Sequence, residues 1–302
     1  MSVRRLDAEQ GRVVPDGCEI TRCICGADDC RVLIERVPSG CLVRCNVCGM
    51  HYANPRLLRR LVRQAAGKAI EPQIDEDKIL EPDRWEKTFA FRLAVLNKHA
   101  PAKGRLLDIG CYAGFLLRKA RDDGWEAFGV EPSVSAARYA RERFGLDVQV
   151  GTLEEARCKA GTFDALGLFE VIEHVPDPNS VLMEAHRVLK PGGLLLVETP
   201  TIDNWLYKVL RGKWRHFISA HFWFFSERTL LPLLEKHGFR AVEVTRVGRH
   251  TSVRHLIAVL SQHFRPLAKA ADLLLVRLFH LGGVTIYLNL RDNMLIAARK
   301  KD

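Results

Sequence analysis

Residues 106–114 read LLDIGCYAG, and the architecture unfolds outward from them. RLLDIG (105–110) is a short apolar run that ends in an acid and a glycine, which predicts a strand. GFLLRKARDDG (114–124) is amphipathic and closes on glycine, which predicts a helix. Downstream the alternation repeats. EAFGVEP (126–132), VQVG (148–151), the start of FDALGLFEVIEHV (163–175), LLLVETP (194–200) and FRAVEVTRV (239–247) read as strands. SVSAARYARERFG (133–145, capped by Ser133), PNSVLMEAHRVLKPGG (178–193) and SERTLLPLLEKHGF (226–239) read as helices between them. Strand and helix in strict turn predict an α/β fold, a Rossmann-like, doubly wound and mostly parallel sheet with helices on both faces. The chain closes on IYLNL and NMLIAARK, expected as a hairpin with Asp292 and Asn293 in the turn.

Upstream, residues 84–99 place Trp85, Phe89, Leu93 and Leu96 on one helical face. Residues 71–83 are acidic and contain proline, the pattern of a linker, and 56–70 read as a short basic helix. The 302 residues are 47% apolar and 27% charged, which excludes a disordered chain or a small disulfide scaffold. No long apolar run or secretory leader is visible, so a cytoplasmic protein with reduced thiols is expected. The net charge of +10 sits at the ends, with +5 over 1–70, +7 over 246–302 and −2 between. A near-neutral middle argues against a nucleic-acid partner.

The turn after the first strand carries the first chemical signal. Gly110 and Gly114 allow a ligand close to the backbone, and the following helix offers free N–H groups to a carboxylate. Asp108 at the strand end would repel a pyrophosphate but suits a ligand with an amino group. Glu131, ending the next strand, can accept both hydroxyls of a ribose. Together these describe an amino acid joined to a nucleoside, as in S-adenosylmethionine (SAM). A dinucleotide site would need G-x-G-x-x-G, whereas this loop offers only G-x-x-x-G.

LDIGCYAGFLL, GVEPS, FDALGLFEVIEHVPDP and VLKPGGLLLVETP, in that order over roughly 85–250, resemble the successive motifs of class I SAM-dependent methyltransferases. The resemblance implies a seven-stranded sheet. It implies that Asp108 orients the loop and the methionine amino group, that Gly110, Cys111, Tyr112 and Gly114 form the loop, and that Glu131 takes the ribose. Leu153 and Glu154 would flank the adenine, and Phe169 and Glu170 would line the cofactor's other side. The family usually has glycine where this chain has Tyr112.

Seven of the nine cysteines fall between 18 and 48. Cys23-Ile-Cys25-Gly and Cys45-Asn-Val-Cys48-Gly form two knuckles whose thiolates can close a tetrahedral structural Zn2+ site. Cys30 is an alternative to Cys23 or Cys25, and Cys18 and Cys41 are surplus. VRCNVCGMHYANPR resembles the zinc ribbon that precedes many SAM methyltransferases in sugar and polysaccharide gene clusters. The division that follows is a zinc-ribbon module over 1–55, a helix and linker over 56–84, and a SAM-dependent methyltransferase domain over 85–302.

Methyl transfer to oxygen or nitrogen profits from a general base, and two histidines lie in loops facing the substrate side. His174 follows the fourth strand, and His221 follows the fifth, each weighed against a structural role. The segment 205–225 crowds aromatic and basic residues, expected mainly as a packed cap. The apolar segment 252–282, with interspersed Arg254, Arg265, Lys269 and Arg277, reads as a helical insertion. It suits burial, a homodimer contact or a peripheral membrane contact. The expected activity is methyl transfer to a small molecule, first a nucleotide- or lipid-linked sugar and second the oxygen of a quinone or phenolic precursor. A non-catalytic binding protein on the same fold is the rival that Tyr112 favours and Asp108, Glu131 and Glu170 disfavour.

Overall fold

A seven-stranded sheet runs through the molecule, and its strand order follows from the alternation read above. The computed structural model describes residues 4–6, 13–58, 82–261 and 265–301. In chain order β7 (Arg105–Ile109), β8 (Glu126–Glu131), β9 (Asp147–Val150), β10 (Phe163–Phe169), β11 (Leu189–Pro200), β13 (Phe239–Ser252) and β14 (Thr285–Lys300) form the sheet. Their spatial order is β13-β14-β11-β10-β7-β8-β9. β9, β8, β7, β10 and β11 are parallel, and β14 runs antiparallel between β11 and β13. The order reverses at β7 and β10, the place where open α/β sheets bind ligands beyond the strands' carboxyl ends.

The helices cover the sheet because their apolar stripes match it. They are α1 (Pro82–His99), α2 (Phe115–Asp122), α3 (Val134–Phe144), α4 (Pro178–Val188), α5 (Trp205–Leu210) and α6 (Glu227–Lys236). Leu93 and Leu96 of α1 pack with Leu106 and Leu196 on one face, whereas Leu182 and Ala185 of α4 pack with Leu166 and Leu195 on the other. Ser133 caps α3 by accepting from Ala136 N, and Gly145 ends it in the left-handed region.

Ahead of this domain, β1 (Arg4–Leu6) and β2 (Val13–Pro15) pair antiparallel, and β4 (Cys30–Val37), β5 (Gly40–Cys45) and β6 (His51–Leu57) form an antiparallel sheet, with β3 (Cys18–Glu19) paired to β6. Its far strand is borrowed: β12 (Trp223–Phe224), from the α/β domain, pairs Trp223 with Tyr52 and Phe224 with His51. The N-terminal sheet therefore extends past residue 55 and shares a strand with the loop after β11.

Three expectations need correction. Arg56 and Leu57 belong to β6 rather than to a basic helix; the rest of that helix from residue 59, and the linker to residue 81, lie outside the described residues. The C-terminal hairpin does not form, because β14 is one strand paired along β13. Asp292 and Asn293 sit at an irregularity of that pairing, where Val247 faces Asn293 and Arg249 faces Leu288. Arg291, at φ 57, absorbs the bend. The insertion is α7 (Val253–Ser261), α8 (Arg265–Ala271), a π-helical stretch (Asp272–Leu278) and a short 3-10 turn, and its outer side is exposed rather than buried.

Candidate active site

The loop between β7 and α2 is shaped by its backbone. Gly110 and Gly114 have φ of 70° and 78°. A Cβ on Gly110 would stand 2.7 Å from Val171 Cγ2, and one on Gly114 would stand 2.5 Å from Leu146 Cδ1. Tyr112, between them, is also in the left-handed region, at φ 50. Its N–H donates to Glu131 Oε2 at 2.8 Å, and Ser133 N donates to Oε1 at 2.8 Å. The residue that departs from the family pattern thus keeps the loop's geometry.

Asp108 and Glu131 are both buried, 4% and 8% exposed. Burial, and then the Glu131 charge, push the Asp108 carboxyl well above the usual carboxylate range. Burial also raises Glu131, against its two backbone hydrogen bonds. Among the described residues, no Lys or Arg forms an ion pair with either carboxylate. Two neighbouring buried carboxylates without a cation fit a ligand that brings its own positive charge. The sulfonium and ammonium of SAM do so, and Glu131 retains lone pairs for ribose hydroxyls.

A cavity of about 410 Å³ opens beside this loop, lined by Ile109, Gly110, Val130, Leu153, Glu154, Val171 and His174 among others. It gathers the ends of four parallel strands, as a nucleoside site in this fold must. Gly110, Leu153, Glu154 and His174 are thereby brought together. The Cys111 side chain is not part of it. It packs with Leu117, Ala137 and Leu146 in the α2–α3 core, so this residue can meet the cofactor only through its backbone. Phe169 stands edge-on to Phe89 of α1, 6.4 Å between ring centroids.

Glu170, at φ 59, follows β10 and turns toward the β13–β14 side of the sheet. Its Oε2 pairs with Arg249 Nη2 at 2.6 Å, and its Oε1 accepts from Asn293 Nδ2. Burial works to raise its pKa, but Arg249 and His216 outweigh it and hold the carboxyl below the ordinary value. Arg249 and Asn293 line a second cavity of about 230 Å³, together with Arg84, Arg215, His250 and His255. Asp292 accepts from Arg215 Nε at 2.7 Å and from His216 Nε2 at 3.1 Å.

His174 and His221 meet edge to face with 4.5 Å between ring centroids. His174 Nδ1 donates to Ala220 O at 2.9 Å and His221 Nδ1 donates to His216 O at 2.8 Å, which fixes in both rings the tautomer with its lone pair on Nε2. They differ in access. His174 borders the first cavity, whereas His221 is 4% exposed, behind it. Burial first, then His174 and His216, push the His221 pKa well below the ordinary value, which makes it a weak proton acceptor.

Sequence reasoning passed over Glu173, Arg249 and Asn293. Glu173 is 1% exposed, accepts from Thr199 Oγ1 at 2.9 Å, and keeps Oε1 buried without a hydrogen-bond partner. One donor atom from each of Glu173, His174 and His221 lies within 4.8 Å of the others, a set of the type that can hold a divalent cation. The only signal for Glu173 was a second carboxylate inside the apolar EVIEHV. Arg249 and Asn293 gave none, since their neighbours are set by the long β13–β14 pairing.

In the N-terminal sheet Cys23 Sγ and Cys48 Sγ lie 3.4 Å apart, and Cys25 Sγ and Cys45 Sγ 3.7 Å apart. All four sulfurs fall within 4.8 Å of one another. A zinc–sulfur bond of about 2.3 Å puts tetrahedral sulfurs about 3.8 Å apart, so the residues fit the ion. Cys30 lies on β4 opposite Cys45 and is outside the group, as are Cys18 and Cys41.

A methyltransferase-domain family model matches residues 51–244. The ubiquinone biosynthesis O-methyltransferase of Ruegeria pomeroyi is 35% identical over 156 residues, 50% of this chain and 54% of that protein. Its counterpart from Nitrosococcus oceani is 35% identical over 116 residues, 36% of this chain and 49% of that one. The chain thus spans about half the length of the curated relatives it matches. The structure of a SAM-dependent methyltransferase from Thermotoga maritima superposes with a TM-score of 0.52 at 22% identity, over 80% of this chain and all of that one, and shows the same fold. The chain belongs to the methyltransferase-domain family and has the class I fold of SAM-dependent methyltransferases.

Proposed function

We propose that this enzyme methylates a hydroxyl oxygen of a phenolic or quinone-precursor acceptor. The observation that carries the reading is the match at 35% identity to ubiquinone biosynthesis O-methyltransferases across half the chain. It ranks this acceptor ahead of the nucleotide- or lipid-linked sugar expected from the ribbon motif. Bound SAM supplies an electrophilic methyl group. Asp108 and Glu131 hold it by its ammonium and ribose, and Gly110 lets it approach the backbone. A phenol must lose its proton to become a good nucleophile, and His174, with its lone pair on Nε2, is the group to receive it. Pairing with Arg249 and Asn293 fixes Glu170, the residue before Val171 of the first cavity. The four cysteines are assigned to a structural zinc, with no open position for chemistry.

The test is a turnover assay with SAM and two acceptor probes, a catechol carrying a short isoprenoid chain and a nucleotide sugar. Mass spectrometry of the products locates the added methyl. O-methyl catechol, lost in His174→Ala with SAM binding retained, is expected. Methylation of the sugar probe alone overturns the reading.

A further inference from the structure

β13 and β14 run on together past the sheet. β14 pairs with β11 only from Asn293 onward, whereas its earlier residues Thr285–Leu288 pair with Arg249–Ser252 of β13 alone. This two-stranded ribbon carries residues 253–284 beyond the edge of the domain. The inserted α7, α8 and π-helical stretch make their main contacts with one another and with β13. Among the described residues, nothing else covers their outer side. Leu273, Leu274, Leu278 and Phe279 are 63%, 50%, 65% and 58% exposed, and Ile286 and Tyr287 on the two-stranded ribbon are exposed as well. Scattered apolar side chains on a surface need no partner, but a run of this kind in one segment marks a docking face.

The charges around the patch say what docks. Residues 253–291 contain five Lys or Arg against one Asp. The Asp272 carboxylate is engaged by Arg277 at 2.9 Å. Arg265 and Lys269 are exposed. The partner must be apolar within and anionic at its rim. A second copy of this face would bring the same positive charges into contact. An anionic lipid surface matches both requirements, since headgroups meet the basic side chains and acyl chains meet the leucines.

The position of the patch gives it a use. His255 and Leu256 of α7, and Leu288 and Leu290 of the ribbon, line the same cavity as Arg249 and Asn293, the two residues that hold Glu170. The cavity thus runs from the insertion to Arg249 and Asn293, whose partner Glu170 directly precedes Val171 of the first cavity. We propose that the β13–β14 insertion docks the enzyme on an anionic lipid surface and admits its acceptor from that surface; the second clause rests on the phenolic-acceptor reading above.

Vesicle flotation of the full, zinc-loaded chain tests this without turnover. One vesicle population is phosphatidylcholine alone, and the other contains about 30 mol % phosphatidylglycerol. The chain is expected to float with the anionic vesicles at least about tenfold more than with the neutral ones, and to be released by high salt. Leu278→Asp/Phe279→Asp and Arg265→Glu/Lys269→Glu are each expected to cut flotation about tenfold while SAM titration and melting stay unchanged. Absence of flotation with both populations, or variants that float like the parent, overturns the proposal. So does a concentration-dependent dimer that Leu278→Asp/Phe279→Asp dissolves without any lipid binding. Flotation without catechol methylation removes only the acceptor reading, and methylation without flotation removes only the docking surface.

Discussion

Trp223 stacks on Tyr52 with 5.6 Å between ring centroids and 26° between planes, and their backbones pair as β12 and β6. Tyr52 belongs to the cysteine-bearing sheet, and Trp223 lies two residues after His221. The N–H groups of Phe222 and Trp223 both point to Glu173 O, at 2.9 and 3.3 Å. Arg56 adds a hydrogen bond to Pro176 O at 3.1 Å and lies over the Phe222 ring. The ribbon therefore braces the loop pair that carries Glu173, His174 and His221.

Metal removal should therefore be felt at the histidines before the cofactor site. We expect one zinc per chain, lost in Cys48→Ser and retained in Cys30→Ser. Loss should destabilise the ribbon by about 4 kcal/mol or more, as is usual when a structural ion is removed. Because Asp108 and Glu131 stand on β7 and β8, turnover should fall severalfold while SAM affinity changes less than about threefold. Metal analysis by plasma mass spectrometry, SAM titration and turnover on the same samples decide this. Zinc retained in Cys48→Ser would remove the four-thiolate assignment.

Asp108 makes SAM binding depend on pH. Its carboxyl is raised by burial in the ligand-free chain. A raised folded pKa means that its contribution to stability is present below the unfolded value of about 3.9 and is lost as pH rises through the folded value. A bound ammonium favours the ionised form, so binding expels a proton wherever the free enzyme still holds it. SAM affinity should therefore weaken as pH falls through the raised pKa, and the thermal shift given by SAM should grow as pH rises through it. Asp108→Asn should flatten both trends and cost about 1.5–3 kcal/mol of binding. Calorimetric titration across pH checks this, and an unchanged slope in Asp108→Asn would place the proton elsewhere.

How far the sequence carried the reading can be seen at two places. The LLDIGCYAG turn is local: strand, loop and helix N-terminus are encoded within a few residues, and Asp108, Gly110 and Gly114 stand where the pattern put them. The same local signals misread Asp292-Asn293, whose polar pair has the composition of a turn. They lie instead inside a strand, where Asn293 pairs with Pro200 of β11 and Val247 of β13, Asp292 O accepts from Thr201 N, the Asp292 carboxylate accepts from Arg215 and His216, and Asn293 Nδ2 donates to Glu170. Such partners lie far off in sequence, and no periodicity announces them. The borrowed strand β12 escaped for the same reason.

Tyr112 is the family departure that the backbone resolves. A non-glycine residue in the left-handed region costs about 1–2 kcal/mol, and glycine costs roughly 0.5–1 kcal/mol through chain entropy. Tyr112→Gly should thus leave stability within about 1 kcal/mol of the parent and retain SAM binding, since the N–H to Glu131 remains. Tyr112→Val, β-branched at positive φ, should lose more than about 1 kcal/mol. Chemical denaturation and SAM titration measure both. Loss of SAM binding in Tyr112→Gly would make the ring itself a binding element.

The ion pair of Arg92 and Glu198 is the buried joint between α1 and the sheet. Both side chains are almost fully buried, and the guanidinium reaches the two carboxylate oxygens at 2.7 and 2.5 Å. Arg92 also donates to Gly248 O at 3.1 Å, and Glu198 O accepts from Glu170 N at 2.8 Å. The pair thus ties α1 to β11, one backbone hydrogen bond from Glu170. Removing one partner leaves the other charge buried alone, so Arg92→Leu should cost about 3–5 kcal/mol. Replacing both by leucine removes the stranded charge and should cost clearly less than the two single changes added together. If the single and double variants prove additive, the two side chains do not act as a pair. A double-mutant cycle by chemical denaturation, with SAM titration on the four proteins, separates that outcome from a loss confined to the site.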